Sequence, residues 1–200
     1  RAYRRKEVFP LRDLVAPLLA ADADTHHVVM PPAQPFMPSS GGPGPYLEGG
    51  DIICYKNHLF VGESDIATNR AGTEWLRDYI EPYGYTVHPM PMKGTVLHLL
   101  GTMVLVREGV LLLFRDELDC ELPAPLRDWD VIELSEDEAR AYATVGVSLD
   151  DKRYVMPSHL GRVGEELSRR GVEPIEIDYD HVSYWGGCVS CSTHAIARDP

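Results

Sequence analysis

The sequence has little positive charge, few cysteines and no long apolar run. Its 200 residues contain 19 Lys and Arg against 31 Asp and Glu, a formal net charge of −12 at pH 7. This balance argues against nucleic acid as the main partner and suits small cationic substrates, although it also serves ordinary solubility. The longest apolar stretch, "GVLLLF" at 109–114, is strand-sized and far short of the ~20 residues that span a bilayer. No membrane segment is expected.

The four cysteines are too few and too unevenly spread for a disulfide scaffold. Reduced thiols and a cytoplasmic location are therefore expected. The last two, Cys188 and Cys191, form a C-x-x-C pair, a pattern found in redox dithiols and in zinc sites. Cys54 and Cys120 would have to complete such a zinc site. One isolated pair is a weak metal signal, so this reading stays an alternative.

An apolar content of 44 % is enough to bury a core, and a single domain over residues 1–200 is expected. The chain opens at Arg1 without an initiator methionine, a signal-peptide pattern or a transit pattern. This opening is compatible with a fragment of a longer protein.

Strand, strand, helix and strand patterns recur with a period of roughly 40 to 50 residues. They predict three modules, at 48–91, 97–134 and 143–180. The first module's helix, "NRAGTEWLRDYIE", has apolar residues at four-residue spacing and either Thr68 or Asn69 as its cap. In the second module the Pro-broken "ELPAPLRD" stands between the strands, and in the third a helix is expected from Ser158 to a stop at Gly171.

The flanking segments predict an incomplete ring. Residues 1–30 have the pattern of the end of a truncated module, and residues 186–200 that of the opening strand of another. Between residues 1–30 and the first module, residues 31–47 form a loop whose first sixteen residues, 31 to 46, contain six Pro and three Gly. Repeated units of this kind bury their faces only against one another, so an α/β propeller of ββαβ modules around a central axis is expected, with about three and a half modules present.

Three residues whose side chains could take part in catalysis lie at junctions between modules: Glu48 in "LEGGD", His98 in "LHLL" and Cys191 in "GGCVSCST". Each has an ordinary explanation as a turn, a core histidine or a buried thiol. Brought together, they would form a nucleophilic site in which the thiolate attacks, the imidazole transfers protons and the carboxylate binds a cation. Asp51 could share the cation with Glu48.

The same stretches carry a family resemblance. "RAYRR", "LEGGDI", "TNRAGTEWL", the histidine of "LHLL" and "GGCVSCST" stand in the order and at the approximate spacing found in the guanidino-group-modifying enzymes. The chain resembles this superfamily, whose fold is the five-bladed pentein propeller, and within it the amidinotransferases. The resemblance implies a homodimer, with the missing modules supplied by the rest of the chain or by another chain.

The resemblance also implies roles for individual residues. Cys191 would be the nucleophile, His98 the general acid and base, and Glu48 the carboxylate that holds the guanidinium, helped by Asp51. Arg115 would bind a substrate carboxylate. The implied reaction moves the amidino group of a guanidine such as arginine to an amine through an S-amidino cysteine, without a metal or any other cofactor.

Two departures keep other functions open. Deiminases and amidinotransferases commonly have an acid two residues after the histidine, where this chain has Leu100; dimethylargininases lack that acid. A guanidine hydrolase of the same superfamily is therefore an alternative. Leu100 also leaves open a pentein-like binding or scaffold protein without turnover. The superfamily's other guanidinium-binding Asp would precede Arg1, so the sequence is expected to be a C-terminal fragment or to be completed by another chain.

Overall fold

A computed structural model describes residues 44–64 and 66–193, together with Ala21. The predicted truncated module at 1–30 and most of the loop at 31–47 lie outside the described residues. The strand expected at 186–200 is described only as far as residue 193, and that part contains a 3₁₀ turn, Val189–Ser192, where a strand was predicted.

Each of the three modules contains one three-stranded sheet. The middle strand pairs antiparallel with the strand before it and parallel with the strand after it. These mixed sheets and their helices confirm the predicted α/β class. The strands are β1 Ile52–Tyr55, β2 His58–Glu63, β3 Thr86–Pro91, β4 Met103–Arg107, β5 Val110–Leu113, β6 Asp130–Glu133, β7 Val147–Ser148, β8 Arg153–Pro157 and β9 Glu173–Ile177.

Helix α1, Arg70–Ile80, connects β2 to the parallel strand β3 in the first module. Its buried residue Leu76 packs on the sheet with Leu59, Val61 and Val87. Asn69 is the cap, because its side chain accepts a hydrogen bond from the backbone N–H of Gly72 at 3.0 Å. Thr68, the other candidate for the cap, instead accepts a hydrogen bond from the backbone N–H of Glu48.

The second module has no α-helix between β5 and β6. Short 3₁₀ turns at Arg115–Glu117 and Ala124–Leu126 make the connection instead. Pro123 and Pro125 supply no backbone donor and would clash with the preceding turn of a helix, which explains the difference from the first module. The predicted repeat of strand, strand, helix and strand is therefore wrong in detail for this module.

In the third module, helix α3 spans Gly161–Arg169, so it begins three residues after the predicted start at Ser158. Ser158 continues the parallel pairing instead, since its N–H donates to the carbonyl of Ile177 at 2.9 Å. Two short helices were not expected from the sequence: α2, Glu136–Arg140, and α4, Asp180–Ser183. No helix in the described part of the chain is long and apolar enough to cross a bilayer.

The core consists of apolar clusters between neighbouring sheets, and β5 contributes to two of them. Val110 and Leu112 pack in a cluster with the third module, whereas Leu111 and Leu113 pack in a cluster with the first. Successive side chains of a strand point to opposite faces, so a strand buried on both sides must be apolar throughout. This explains the run "VLLL" and places the second sheet between the other two.

Replacing Asn69 should test how α1 holds the segment before Glu48. The Asn69 side-chain oxygen also accepts the N–H of Tyr46 at 3.0 Å, so Asn69→Ala leaves two backbone donors without this acceptor. We expect a loss of about 1–2 kcal/mol in the free energy of unfolding, measured by urea denaturation. Asn69→Asp keeps an acceptor and should lose less; equal losses in the two variants would contradict the capping role.

Candidate active site

Two predicted site residues occupy equivalent places at the starts of their modules. Glu48 and His98 each have an extended backbone and directly precede a 3₁₀ turn, at Gly49–Asp51 and Leu99–Gly101. Each turn leads into the first strand of its sheet. Because adjacent modules pack side by side, equivalent positions separated by 50 residues come together.

Glu48 and His98 are in direct contact, with 2.8 Å between Glu48 Oε2 and His98 Nε2. Their side chains are 17 % and 22 % exposed, respectively. The hydrogen bond from His98 outweighs the effect of burial and lowers the pKa of Glu48 to about 2. A carboxylate only accepts hydrogen bonds, so the hydrogen lies on Nε2 of the imidazole. The pair is arranged to hold an oriented imidazole, as acid–base catalysis requires.

The glycine pair of "LEGGD" has two different roles. A Cβ atom on Gly50 would lie 2.7 Å from Nδ1 and 2.8 Å from Cγ of His98, whereas one on Gly49 would meet nothing within 4 Å. The imidazole therefore lies directly over the backbone of Gly50. Only the second glycine is needed for this approach.

Asp51 is fully buried and connects the two modules. Its Oδ1 accepts the N–H of Leu99 at 2.9 Å, and its Oδ2 accepts the N–H of Thr68 at 3.2 Å. Burial raises the pKa of this carboxyl group. The contact of Asp51 with a substrate stays a prediction; its contacts in this structure fix the backbone beside His98.

Thr68 is a residue of the site that the sequence did not reveal. Its hydroxyl oxygen accepts the backbone N–H of Glu48 at 2.9 Å, while its own N–H donates to Asp51. It therefore links the backbone of Glu48 to the side-chain carboxylate of Asp51. The only signal in the sequence was its place beside a helix cap, which could equally have indicated the cap itself.

Cys191 lies in a further 3₁₀ turn, Val189–Ser192, and is exposed. Its N–H donates to the carbonyl of Cys188 at 3.0 Å, and Gly187, with φ of +110°, packs against its side chain. Cys188 itself is fully buried, and burial raises the pKa of its thiol. Of this pair, Cys191 is the accessible thiol. Its convergence on Glu48 and His98 stays a prediction.

Arg115 begins the 3₁₀ turn after β5 and is partly buried. Within the described residues its Nη1 atom is buried without a hydrogen-bond partner. Such an atom is available to an incoming acceptor, which is compatible with the predicted binding of a carboxylate. That role also stays a prediction.

The alternative of a metal site finds no support at these cysteines. Over residues 44–64 and 66–193, no group of three or more His, Cys, Asp or Glu side chains is positioned to hold a metal ion.

Comparisons with known proteins point to one fold. No model of a protein family matches the chain. The chain is 28 % identical over 145 residues to the N(G),N(G)-dimethylarginine dimethylaminohydrolase of Pseudomonas aeruginosa. This alignment covers 72 % of this chain and 54 % of that protein. Two amidinotransferase structures also match it. SxtG of Microseira wollei, from the saxitoxin biosynthetic pathway, has a TM-score of 0.82 at 21 % identity, covering 98 % of this chain and 64 % of SxtG. The inosamine-phosphate amidinotransferase StrB1 of Streptomyces griseus has a TM-score of 0.81 at 20 % identity, covering 98 % and 62 %.

The chain has the fold of the pentein superfamily. The pentein propeller fold that the resemblance implied is thereby confirmed. The chain spans about half the length of the curated relatives it matches.

Alanine substitutions at Gly49 and Gly50 of "LEGGD" should show whether a glycine is needed because a Cβ would clash with the His98 ring. Gly50→Ala would place a Cβ 2.7 Å from Nδ1 of His98, which is too close for the ring to stay in place, so we expect the ring to move and the Glu48 contact to break. Gly49→Ala is the matched control, because its Cβ meets nothing. The ¹H–¹³C resonance of the His98 ring should shift in Gly50→Ala and stay in place in Gly49→Ala. An unmoved resonance in Gly50→Ala would contradict the close approach.

The Glu48 contact should also make the stability of the protein depend on pH. The pKa of Glu48 is lowered from 4.5 to about 2 on folding, so its carboxylate stabilises the folded state above pH 4.5, and this contribution is lost as the pH falls toward 2. We expect the wild type to lose on the order of 2 kcal/mol relative to Glu48→Gln over this interval. Denaturant unfolding of both proteins at several pH values measures the difference. Parallel curves would show that folding leaves the pKa of Glu48 unchanged.

Proposed function

We propose that this chain carries the catalytic residues of a guanidino-group-modifying enzyme of the amidinotransferase type. The observation that carries the proposal is the bond between ionised Glu48 and His98 at a module junction. The activities named for its relatives, amidinotransferase and dimethylarginine dimethylaminohydrolase, support the same class. The substrate is a guanidine such as arginine, and the acceptor is an amine.

The chemistry begins with the cation. A guanidinium ion is planar and a poor electrophile, and carboxylates hold it through paired N–H donors. Glu48 is the carboxylate proposed for this task, and its Oε2 also accepts a hydrogen bond from Nε2 of His98. Holding the cation close also favours the thiolate of Cys191, because a neighbouring positive charge lowers the pKa of a thiol.

Two transfers complete the reaction. The thiolate of Cys191 attacks the central carbon of the guanidinium, and the bond from that carbon to the substituted nitrogen breaks as His98 donates a proton to the departing amine. The S-amidino cysteine that results is attacked by the acceptor amine, which gives its proton to His98. The C–S bond then breaks, releasing a new guanidine and regenerating the thiolate.

Hydrolysis is a second candidate, favoured by Leu100. This side chain packs against the apolar cluster between the first two modules, at the place where deiminases and amidinotransferases commonly have an acid. The site then resembles that of a dimethylargininase at this position. In the hydrolytic reaction the bond from the central carbon to an unsubstituted nitrogen breaks first, and ammonia leaves with a proton from His98. Water then attacks the covalent intermediate in place of the acceptor amine, the C–S bond breaks, and arginine yields citrulline.

Labelling of the thiols tests the proposal. Chloroacetamidine, a guanidine mimic with a leaving group, should alkylate Cys191 of the complete protein, and arginine should protect it. Cys191→Ser should abolish turnover, whereas Cys188→Ser is the matched control and should keep most of it, because a buried neutral thiol is a poor nucleophile. Equal labelling of Cys188 and Cys191, unaffected by arginine, would refute a prepared site.

Product analysis separates the two reactions. Arginine supplied with a panel of amines should yield ornithine and a new guanidine if the enzyme is a transferase. Citrulline formed at the same rate with and without amines would establish hydrolysis instead. The homodimer and the cytoplasmic location stay predictions beside this proposal.

A further inference from the structure

The segment that leads to His98 wraps around a carboxylate from elsewhere in the second module. Between β3 and the His98 turn, the backbone N–H groups of Gly94, Thr95 and Val96 all donate to Oε1 of Glu117, at 2.7, 2.9 and 3.2 Å. The hydroxyl of Thr95 donates to the other oxygen, Oε2. Successive N–H groups that converge in this way form a concave anion site, and here a side chain of the protein fills it.

Glu117 is only 1 % exposed. A buried carboxylate is costly unless donors surround it, and this one has four. Backbone contacts reinforce the arrangement: the N–H of Lys93 donates to the Glu117 carbonyl at 2.9 Å, and the N–H of Asp119 donates to the Pro91 carbonyl at 2.9 Å. The 3₁₀ turn that contains Glu117 is therefore joined to the whole segment from 91 to 96.

A second buried carboxylate holds the other end of this segment. Asp51 accepts the N–H of Leu99, immediately after His98. His98 thus lies between two fixed points, at 94–96 and at 99. Glu117 also shares its turn with Arg115, so the same contact sets the distance between the proposed acid–base residue and the proposed carboxylate-binding residue.

We propose that Glu117 is a positioning residue for His98 and Arg115. It acts through the backbone of residues 94–96, without touching substrate, and it keeps the imidazole directed at Glu48. This inference rests on the proposed function for its effect on turnover, but its effect on His98 is independent of that function.

The structural half of the test needs no substrate. In Glu117→Ala, amide exchange at Gly94, Thr95 and Val96 should speed up at least about tenfold, because their shared acceptor is lost. The His98 ring resonance should move, and it should no longer respond to a second substitution, Glu48→Gln. Glu117→Gln keeps an oxygen for the three N–H groups and should restore both signals. Asp116→Asn, at the exposed neighbour in the same turn, is the matched control and should change neither.

The kinetic half uses the complete enzyme. Misalignment of an acid–base group lowers the rate of the chemical step, so we expect kcat to fall about 10- to 100-fold in Glu117→Ala. The KM for the amine acceptor should change less than about twofold, since this substrate does not contact Arg115 in the proposed scheme. The KM for arginine should rise with the displacement of Arg115.

The outcomes are separable. If the amides of 94–96 exchange faster in Glu117→Ala while the His98 resonance and kcat stay unchanged, Glu117 is a structural residue only. If these amides exchange as slowly as in the wild type, Glu117 does not hold the segment. Either result overturns the inference. If the wild type shows no turnover, the proposed function fails. Amide exchange and the His98 resonance then still decide whether Glu117 positions His98. If Glu117→Ala does not fold, Thr95→Val removes only the hydroxyl contact and should produce smaller changes of the same kind.

Discussion

The carboxylate of Asp51, buried between the first and second modules, fixes the geometry on which the candidate site depends. It receives one backbone N–H from each side of the junction, from Thr68 and from Leu99. Leaving either donor unpaired in the interior would cost about 1–3 kcal/mol, so the modules have one favoured alignment. An apolar contact could join two sheets equally strongly, but it would permit sliding. The polar junction sets the position of His98 relative to Glu48 to within hydrogen-bonding distance.

The repeat made the meeting of Glu48 and His98 predictable. Each residue precedes the first strand of its own module, and a shared place in a repeated unit implies a shared place around the axis. Helix α1 was predictable from its apolar spacing within one residue at each end. The sequence also showed that "LEGGD" needed an explanation, but only the position of the His98 ring reveals why Gly50 must be a glycine.

Contacts between distant segments account for what the sequence did not reveal. Glu117 in "FRDELDC" resembles any surface acid, and its donors are more than 20 residues away, so no local pattern could mark it as buried. The missing helix of the second module followed from two prolines whose effect was visible but underestimated. Helix α2 was different: Ser135 and Glu138 form a capping box, a local signal that was present in the sequence. The position of Cys191 relative to Glu48 and His98 depends on how the modules pack, which the spacing of motifs along the sequence does not determine.

Strand β5 makes the folding of the modules interdependent. Its four residues alternate between two apolar clusters, so the second sheet has no face that belongs to it alone. An isolated second module would expose both surfaces of this strand to water, and each neighbour would lose the wall against which it closes. We therefore expect loss of structure in any one module to spread to the next, so that the three sheets unfold as a single cooperative unit.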